Sequence, residues 1–217
     1  RRSDTHATGD RSTITKDGNT LTIDHIYPEH VMVKSVETPH YLYTLQREKP
    51  LEKEGMLTVS SKTSGNPLVM ANLLTTSPSG QEPSIDTSIG EGHIFGSIDG
   101  AMFAVNTRPG HIYEGEGVVT DALVGTGDES QIFAALFTTL SLNGSLVMES
   151  EEPITAEIEG GRIRYYCSSD TKVGIGSSLK PTHVTVNGAD AASFGYDEKR
   201  SAVELTLPAG EGTVNID

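Results

Sequence analysis

The fold is decided by the stretch from Arg162 to Ile216, which reads RIRYYCSSDTKVGIGSSLKPTHVTVNGADAASFGYDEKRSAVELTLPAGEGTVNI. Short runs in which apolar and polar residues alternate recur here at intervals of roughly 8–12 residues, with a turn signal between neighbouring runs. Asn187-Gly188 follows Val184 and Val186, and this dipeptide suits a two-residue hairpin turn because both of its positions tolerate a positive φ. The pattern predicts an antiparallel β-meander with one face toward solvent.

Alternation also predicts which side chains of this stretch face the core. Two sets of apolar residues occupy every second position: Val203, Leu205 and Leu207 in one run, and Ile163, Tyr165 and Cys167 in the other. Cys167 is the only cysteine, so the chain cannot form an internal disulfide. Its position favours a small buried apolar residue; the alternative is a catalytic thiol.

The rest of the chain continues the β pattern, so we predict an all-β fold, an antiparallel β-sandwich of two layers. Ser12–Tyr27 predicts a hairpin around Asp17-Gly18, and His93–Asn106 predicts another around Asp99-Gly100. Ile132–Leu140 is long enough for a helix, but the Asn143-Gly144 turn after it favours a strand paired with 146–148. No other segment carries a strong helix signal.

The best candidate for a boundary is Thr75–Gly92, which contains little that could be buried. We therefore predict a β-sheet region over residues 1–84 and a β-sandwich over residues 85–217, which could also pack as one unit.

Three local predictions accompany this division. We expect Leu68–Leu74 to be a central strand because it is apolar on both faces, Gln46–Gly55 to be a charged loop, and Gly125–Asp128 to be a turn rather than a nucleotide-binding loop.

The composition restricts the possible partners. The chain has 217 residues and a formal net charge of −14, from 30 acidic and 16 basic residues. Such a surface repels polyanions, so we expect no nucleic-acid partner; the simplest role of the acidic surface is solubility. No apolar run reaches the roughly 18–20 residues of a membrane helix. The opening Arg1-Arg2 leads us to expect a processed chain or part of a larger polypeptide.

Histidines and carboxylates are the first candidates for chemistry. The seven histidines are His6, His25, His30, His40, His93, His111 and His183. They lack short-range zinc-ligand spacing and a cysteine partner, so we interpret them as scattered surface residues. The acidic pairs are 149–152, Asp197-Glu198 and Glu114 with Glu116; their turn-like positions argue against the facing carboxylates of a glycosidase. Calcium at Asp86 or at Asp128-Glu129 lacks a ligand pattern.

Sugar binding is a further alternative. Exposed aromatic rings stack on sugars, and the chain has no tryptophan but carries four tyrosines in strand-like segments: Tyr41, Tyr43, Tyr165 and Tyr166. Tyrosines in alternating strands more often lie half in the core and half at its rim. An independent glycan-binding or adhesion module therefore stays open as the second interpretation, and a self-contained hydrolase as the third.

Two blocks together resemble a known family. Gly18–Pro28 (GNTLTIDHIYP) resembles a strand with the pattern dG-x-x-L-x-(V/I)-x-x-L-x-P in heparinase II/III-like polysaccharide lyases. Leu68–Thr75 (LVMANLLT) falls where those proteins carry the last strand of the same sheet. Thr120-Asp121-Ala122 and the closing VTVNG, LTLPAG and VNI segments resemble their C-terminal sandwich.

The resemblance implies a function for a longer protein. Members of this family join an α/α toroid to antiparallel sheets and cleave uronic-acid polysaccharides by β-elimination. The catalytic and zinc-binding positions would lie before Arg1, so we carry over no catalytic, cofactor-binding or metal-binding residue. We expect a non-catalytic C-terminal β-sandwich that supports the toroid of the same polypeptide and lines the substrate cleft, with acidic polysaccharide as a candidate ligand. The resemblance also implies a periplasmic, cell-envelope or secreted location, with no cofactor in this chain and room for zinc or calcium in the parent protein.

Overall fold

The computed structural model describes residues 4–8, 10–28, 31–39, 53–60, 70–78, 80–81, 83–108, 110–128 and 130–217. These residues form antiparallel strands and turns, and no helix occurs among them. The all-β prediction is therefore confirmed. Within this described part of the chain, no helix is long and apolar enough to cross a membrane.

The chain divides into two compact units, Arg1–Pro83 and Ser84–Asp217. Whether they correspond to the end of a lyase sheet and a C-terminal sandwich stays a prediction. The strands of the first unit are β1 (Asp4–Thr8), β2 (Arg11–Lys16), β3 (Asn19–Tyr27), β4 (Met32–Pro39), β5 (Lys53–Ser60) and β6 (Ala71–Pro78). They form a sheet in the order β1-β2-β3-β6 and the pair β4-β5. The predicted β2–β3 hairpin is confirmed, with Asp17 and Gly18 at φ of 50° and 81°.

Two predictions in the first unit are wrong in their described parts. β6 lies at the end of the described sheet order, and its side chains alternate in burial, with Leu74 61% exposed. It is therefore a strand with one wet face, not a central one. Lys53–Gly55 belongs to β5 instead of the predicted charged loop. Residues 46–52 and 68–69, and also His30, His40, Tyr41 and Tyr43, lie outside the described residues.

The second unit is a branched 15-stranded sheet. Its strands are β7 (Ile85–Gly90), β8 (His93–Ile98), β9 (Ala101–Asn106), β10 (Tyr113–Gly115), β11 (Val118–Thr120), β12 (Val124–Gly127), β13 (Gln131–Leu142), β14 (Ser145–Glu159), β15 (Arg162–Cys167), β16 (Thr171–Gly176), β17 (Val184–Val186), β18 (Ala189–Asp190), β19 (Gly195–Asp197), β20 (Ala202–Leu207) and β21 (Gly210–Ile216). All of their pairings are antiparallel.

The long hairpin β13–β14 turns this sheet into two layers. The start of β13 pairs with β12 and its end with β11, while the start of β14 pairs with β16 and its end with β15. The register shifts around Phe137, and Pro153, which has no N–H to donate, lies in β14 near this bend. Each strand therefore changes layer halfway along its length. The first layer contains β12, the start of β13, the end of β14, β15 and β21, and the second contains β11, the end of β13, the start of β14, β16 and β20.

Both layers contribute to one apolar core. Phe137 is fully buried at the bend and belongs to the same core cluster as Ile154 and Ile163 from the first layer and Met148 and Leu207 from the second. The predicted alternation in β15 and β20 is confirmed, as are the turn at Asn187-Gly188 and the strand at Ile132–Leu140. The hairpin over His93–Asn106 is confirmed as well.

One prediction in the second unit is wrong. Gly125–Gly127 lies in β12 and pairs with β9 on one side and β13 on the other. Gly127 allows a close approach to β13, because a Cβ there would overlap Gln131 O; Gly125–Gly127 does not form a turn. The division between the two units, at Pro83/Ser84, lies within the expected boundary Thr75–Gly92. This stretch also contains the end of β6 and all of β7, which were missed because polar strands at exposed positions lack the apolar signal by which strands are recognised.

Candidate functional site

A groove of about 450 Å³ crosses the outer face of the first layer in the second unit. Two rows of side chains line it, and the strand register sets each row. Residues that are paired across an antiparallel sheet share a face. One row is Phe133, Glu157, Arg164 and Thr213, and the other is Thr155, Tyr166 and Glu211. We call this feature the Tyr166 groove.

Aromatic side chains lie at both sides of the Tyr166 groove. Phe133 on β13 is 40% exposed and Tyr166 on β15 is 52% exposed. Their strands are separated by β14, so the two backbones lie roughly 10 Å apart. Exposed aromatic rings with an apolar face and a polar edge are suited to stacking on sugar rings.

The polar groups of the groove are held by one another. Gln131 Nε2 donates to Glu157 Oε1 at 2.6 Å, and Arg164 Nη1 donates to Glu157 Oε2 at 3.1 Å. The Arg164 side chain is 55% exposed, so its other guanidinium donors face solvent. A guanidinium fork binds carboxylates in a bidentate manner. The groove therefore offers an oriented acceptor for hydroxyl groups beside donors for a carboxylate.

Leu136 is the least expected residue near this groove. It sits in the β13 bulge with φ of 52°, and its side chain is 54% exposed. A bulky residue at positive φ is uncommon because Cβ crowds the backbone. Its N–H donates to Thr155 Oγ1 at 3.3 Å, which places it next to the Thr155–Tyr166 row. The bulge thus places an exposed apolar residue near Thr155, outside the lining of the groove.

A second, more polar groove of about 790 Å³ lies on the second layer. Arg200 bridges two carboxylates there: it donates to Glu149 and lies 3.5 Å from Glu204. The hydrogen bond and charge of Glu149 raise the pKa of Arg200. Glu149, a member of one of the predicted acidic pairs, is thus linked through Arg200 to Glu204. The sequence pattern did not single out Glu204. Because the cation occupies the space between them, these carboxylates are not free to act as a glycosidase pair.

The first unit contains a Ser–His–Asn chain of hydrogen bonds. Ser12 Oγ lies 3.1 Å from His25 Nε2, and His25 Nδ1 lies 2.7 Å from Asn72 Oδ1. This connectivity is that of a hydrolase triad. Ser12 is completely buried within a strand and His25 is 6% exposed, so no substrate carbonyl can reach the hydroxyl. We therefore assign this chain of hydrogen bonds a structural role in the first unit.

The remaining candidate residues differ in how accessible their side chains are to a ligand. Cys167 is 1% exposed and its thiol donates to Pro208 O at 3.2 Å. Burial raises the pKa of this thiol, which opposes the thiolate that a catalytic cysteine needs. Tyr165 is 4% exposed and cannot stack on a sugar, whereas Tyr166 can. Asp128 accepts hydrogen bonds from Ser130 and Gln131, which lower its pKa and form a turn.

The histidines are distributed between the two units. His6 and His183 are exposed, and His183 faces Asp190 at 3.5 Å. His93 and His111 come together in the second unit with ring centroids 6.0 Å apart, which their sequence spacing did not predict. Among the described residues, no group of three or more His, Cys, Asp or Glu side chains is arranged to hold a metal ion.

Comparison with known proteins identifies no family for this chain. No protein-family model matches the chain, and a search of curated proteins found no significant match. Any function must therefore be argued from the grooves themselves. Phe133 and Arg164 were missed by the sequence interpretation, although their position on the outward side of alternating strands was the signal that could have identified them.

Proposed function

We propose that this chain is a non-catalytic β-sandwich that contacts polysaccharide through the Tyr166 groove. The observation that carries the proposal is the pair of exposed rings, Phe133 and Tyr166, on either side of the oriented Glu157–Arg164 pair. Rings that stack on the apolar faces of sugars, next to groups that bond their hydroxyls, are the usual composition of a carbohydrate site.

We further propose that the sandwich is the C-terminal portion of a heparinase II/III-like polysaccharide lyase. In this view an α/α toroid of the same polypeptide carries out the β-elimination of uronic-acid polysaccharide, and the Tyr166 groove lines part of the substrate cleft. The protein would act in the periplasm, at the cell envelope or outside the cell. Arg164 supports this version because its free donors suit a uronate carboxylate.

The charge of the chain limits the ligand. Glu157 and Glu211 lie in the groove itself, and the net charge is −14. Long-range attraction of a polyanion is therefore absent. Binding must rest on stacking and on one local carboxylate contact. We expect added salt not to weaken it strongly, because salt also screens the long-range repulsion between the chain and an anionic ligand.

Titration of the isolated chain with neutral and uronate oligosaccharides, followed by NMR, tests the proposal. We expect shifts confined to the groove and at least a tenfold loss of affinity in Tyr166→Ala, which is about 1.4 kcal/mol. Leu179→Ala is the control, because Leu179 is 77% exposed outside the groove. Arg164→Gln should weaken uronate binding alone, with Arg162→Gln on the same strand as its control. Unchanged binding in Tyr166→Ala, or no binding of any oligosaccharide, would refute the use of this groove.

The alternative function is an independent carbohydrate-binding or adhesion module. Equal affinity for neutral and uronate oligosaccharides favours the module, whereas a preference for uronates that is lost in Arg164→Gln favours the lyase. The coding sequence upstream of Arg1 separates them further. Amphipathic helices carrying Asn, His and Tyr would support the lyase, and a secretion signal directly before Arg1 would exclude it. Ultraviolet absorbance of unsaturated uronate products would reveal lyase activity in this chain, contrary to the non-catalytic role.

A further inference from the structure

A second cluster of polar and aromatic side chains lies in the second unit, where the β7–β8 turn meets the segment after β9. His93 begins β8 and pairs in register with Asn106 at the end of β9. His111 lies on the next segment, and its ring is almost parallel to that of His93, with an angle of 4° between the planes. This cluster does not include any residue of the Tyr166 groove, so a role for the cluster does not depend on the proposed function.

Backbone hydrogen bonds hold the cluster in place. Asn106 Nδ2 donates to the carbonyl oxygens of His111 and Ala122 at 2.7 and 3.2 Å. Thr107 N donates to Gly92 O at 3.0 Å, which ties the segment to the β7–β8 turn. Because two carbonyl oxygens can bond only to the amide NH₂, the Asn106 side chain has a defined orientation, with Oδ1 directed away from them.

Glycines make room for both imidazole rings. The His93 ring lies against Gly90, where a Cβ would overlap it, and the His111 ring lies 3.2 Å from the place of a Cβ on Gly92. On its other side His93 packs against Tyr113, with ring centroids 4.6 Å apart. The two rings are therefore enclosed by neighbours instead of extending freely into solvent.

Two polar atoms of this cluster are buried without a partner. His93 Nδ1 and Asn106 Oδ1 are inaccessible to solvent and have no hydrogen-bond partner among the described residues. A buried polar atom is seldom left unpaired, and here two such atoms belong to residues that are paired in register on neighbouring strands. A nitrogen and an oxygen with free lone pairs can both be ligands of a cation.

We propose that His93 Nδ1, Asn106 Oδ1 and an imidazole nitrogen of His111 bind one divalent transition-metal ion, with water completing its coordination. Two imidazoles bound to one tetrahedral ion with metal–nitrogen distances near 2.0–2.1 Å place their ring centroids roughly 5 Å apart. The observed separation is 6.0 Å, so the rings must move closer together when the ion binds. Imidazole ligands favour zinc, copper and nickel over calcium and magnesium. The third ligand is an amide oxygen, which explains why no set of three His, Cys, Asp or Glu residues occurs in this described part of the unit.

Zinc binding by the tag-free, chelator-treated chain tests this site by isothermal titration calorimetry. We expect one equivalent of Zn²⁺ to bind and calcium not to compete. His111→Gln should lower the affinity at least tenfold, because one of three protein ligands is lost. His183→Gln is the matched control, since His183 is exposed beside Asp190 elsewhere in the unit, and it should leave the affinity unchanged.

NMR of the wild-type chain gives a second readout that does not depend on whether a variant folds. On addition of zinc the imidazole signals of His93 and His111 should shift, and those of His6 and His183 should not. The proposal is overturned if wild-type protein binds no zinc saturably, which would assign the two buried atoms to a bridging water. It is equally overturned if folded His111→Gln binds as tightly as wild type, or if the shifts fall on other histidines.

Discussion

The two units bury different kinds of side chain. In the described part of the first unit, the most buried side chains include Ser12, Thr22 and His25, which are polar. The second unit buries a continuous apolar cluster centred on Phe137 and Ile154. A buried hydrogen bond contributes about 1 kcal/mol net, whereas a fully buried large apolar side chain contributes about 1.5–3 kcal/mol. Among the described residues, matched polar partners therefore stabilise the interior of the first unit, whereas packed apolar area stabilises that of the second.

The largest expected effect is loss of packing at the bend of the long hairpin. Phe137→Ala should lower the free energy of unfolding of the second unit by about 3–5 kcal/mol, because it leaves a cavity where both layers meet. Urea denaturation followed by circular dichroism measures this loss. Leu136→Ala, one residue away on the same bulge, removes an exposed side chain and should change stability by less than about 0.5 kcal/mol. Equal costs for the two variants would show that the core is not centred at Phe137.

A smaller effect is expected from the polar interior of the first unit. His25→Ala removes the partner of both Ser12 and Asn72, and a buried hydroxyl without a partner costs about 1–3 kcal/mol. Hydrogen exchange of the β2 and β3 amides measures the effect within this unit. His6→Ala on β1 is the control, since His6 is exposed. Protection that is unchanged in His25→Ala would mean that these hydrogen bonds do not stabilise the unit.

The smallest effect is a loss of stability at alkaline pH in the second unit. Burial raises the pKa of Cys167 and of Tyr165, and burial together with the charge of Glu116 raises the pKa of Tyr113. These acids hold their protons more tightly when folded, so their stabilisation is complete below the unfolded pKa values, about 8.5 for Cys and 10 for Tyr. It is lost as pH rises through the folded values.

Denaturant titrations between neutral pH and about pH 10 measure this loss. In Cys167→Ala the decline that begins near the cysteine pKa should be reduced, while the later decline from the tyrosines remains. An identical pH profile in this variant would show that the thiol titrates normally in the folded chain.

The local sequence pattern was enough to predict the hairpins but not the grooves. Asn187-Gly188 and Asp17-Gly18 carry their turn geometry in their own residue types, because positive φ is cheap there. The sequence pattern missed the exposed strand β7 and the glycine-containing strand β12. Their composition does not favour a strand, and pairing with neighbouring strands holds them in the extended conformation. Leu136 could not have been expected to project outward at positive φ, because the bulge arises from the register of β13 against β14.

By itself the sequence determined that this protein is antiparallel β, where its tight turns lie, and which face of β15 and β20 is buried, because period-two alternation and turn residues act within a few positions of the chain. Only the tertiary structure decided that Phe133 joins Tyr166, that Ser12, His25 and Asn72 form one network, and that His93, Asn106 and His111 meet. Those residues lie far apart along the chain, and strand register and the order of strands in the sheet, which no local pattern encodes, bring them together.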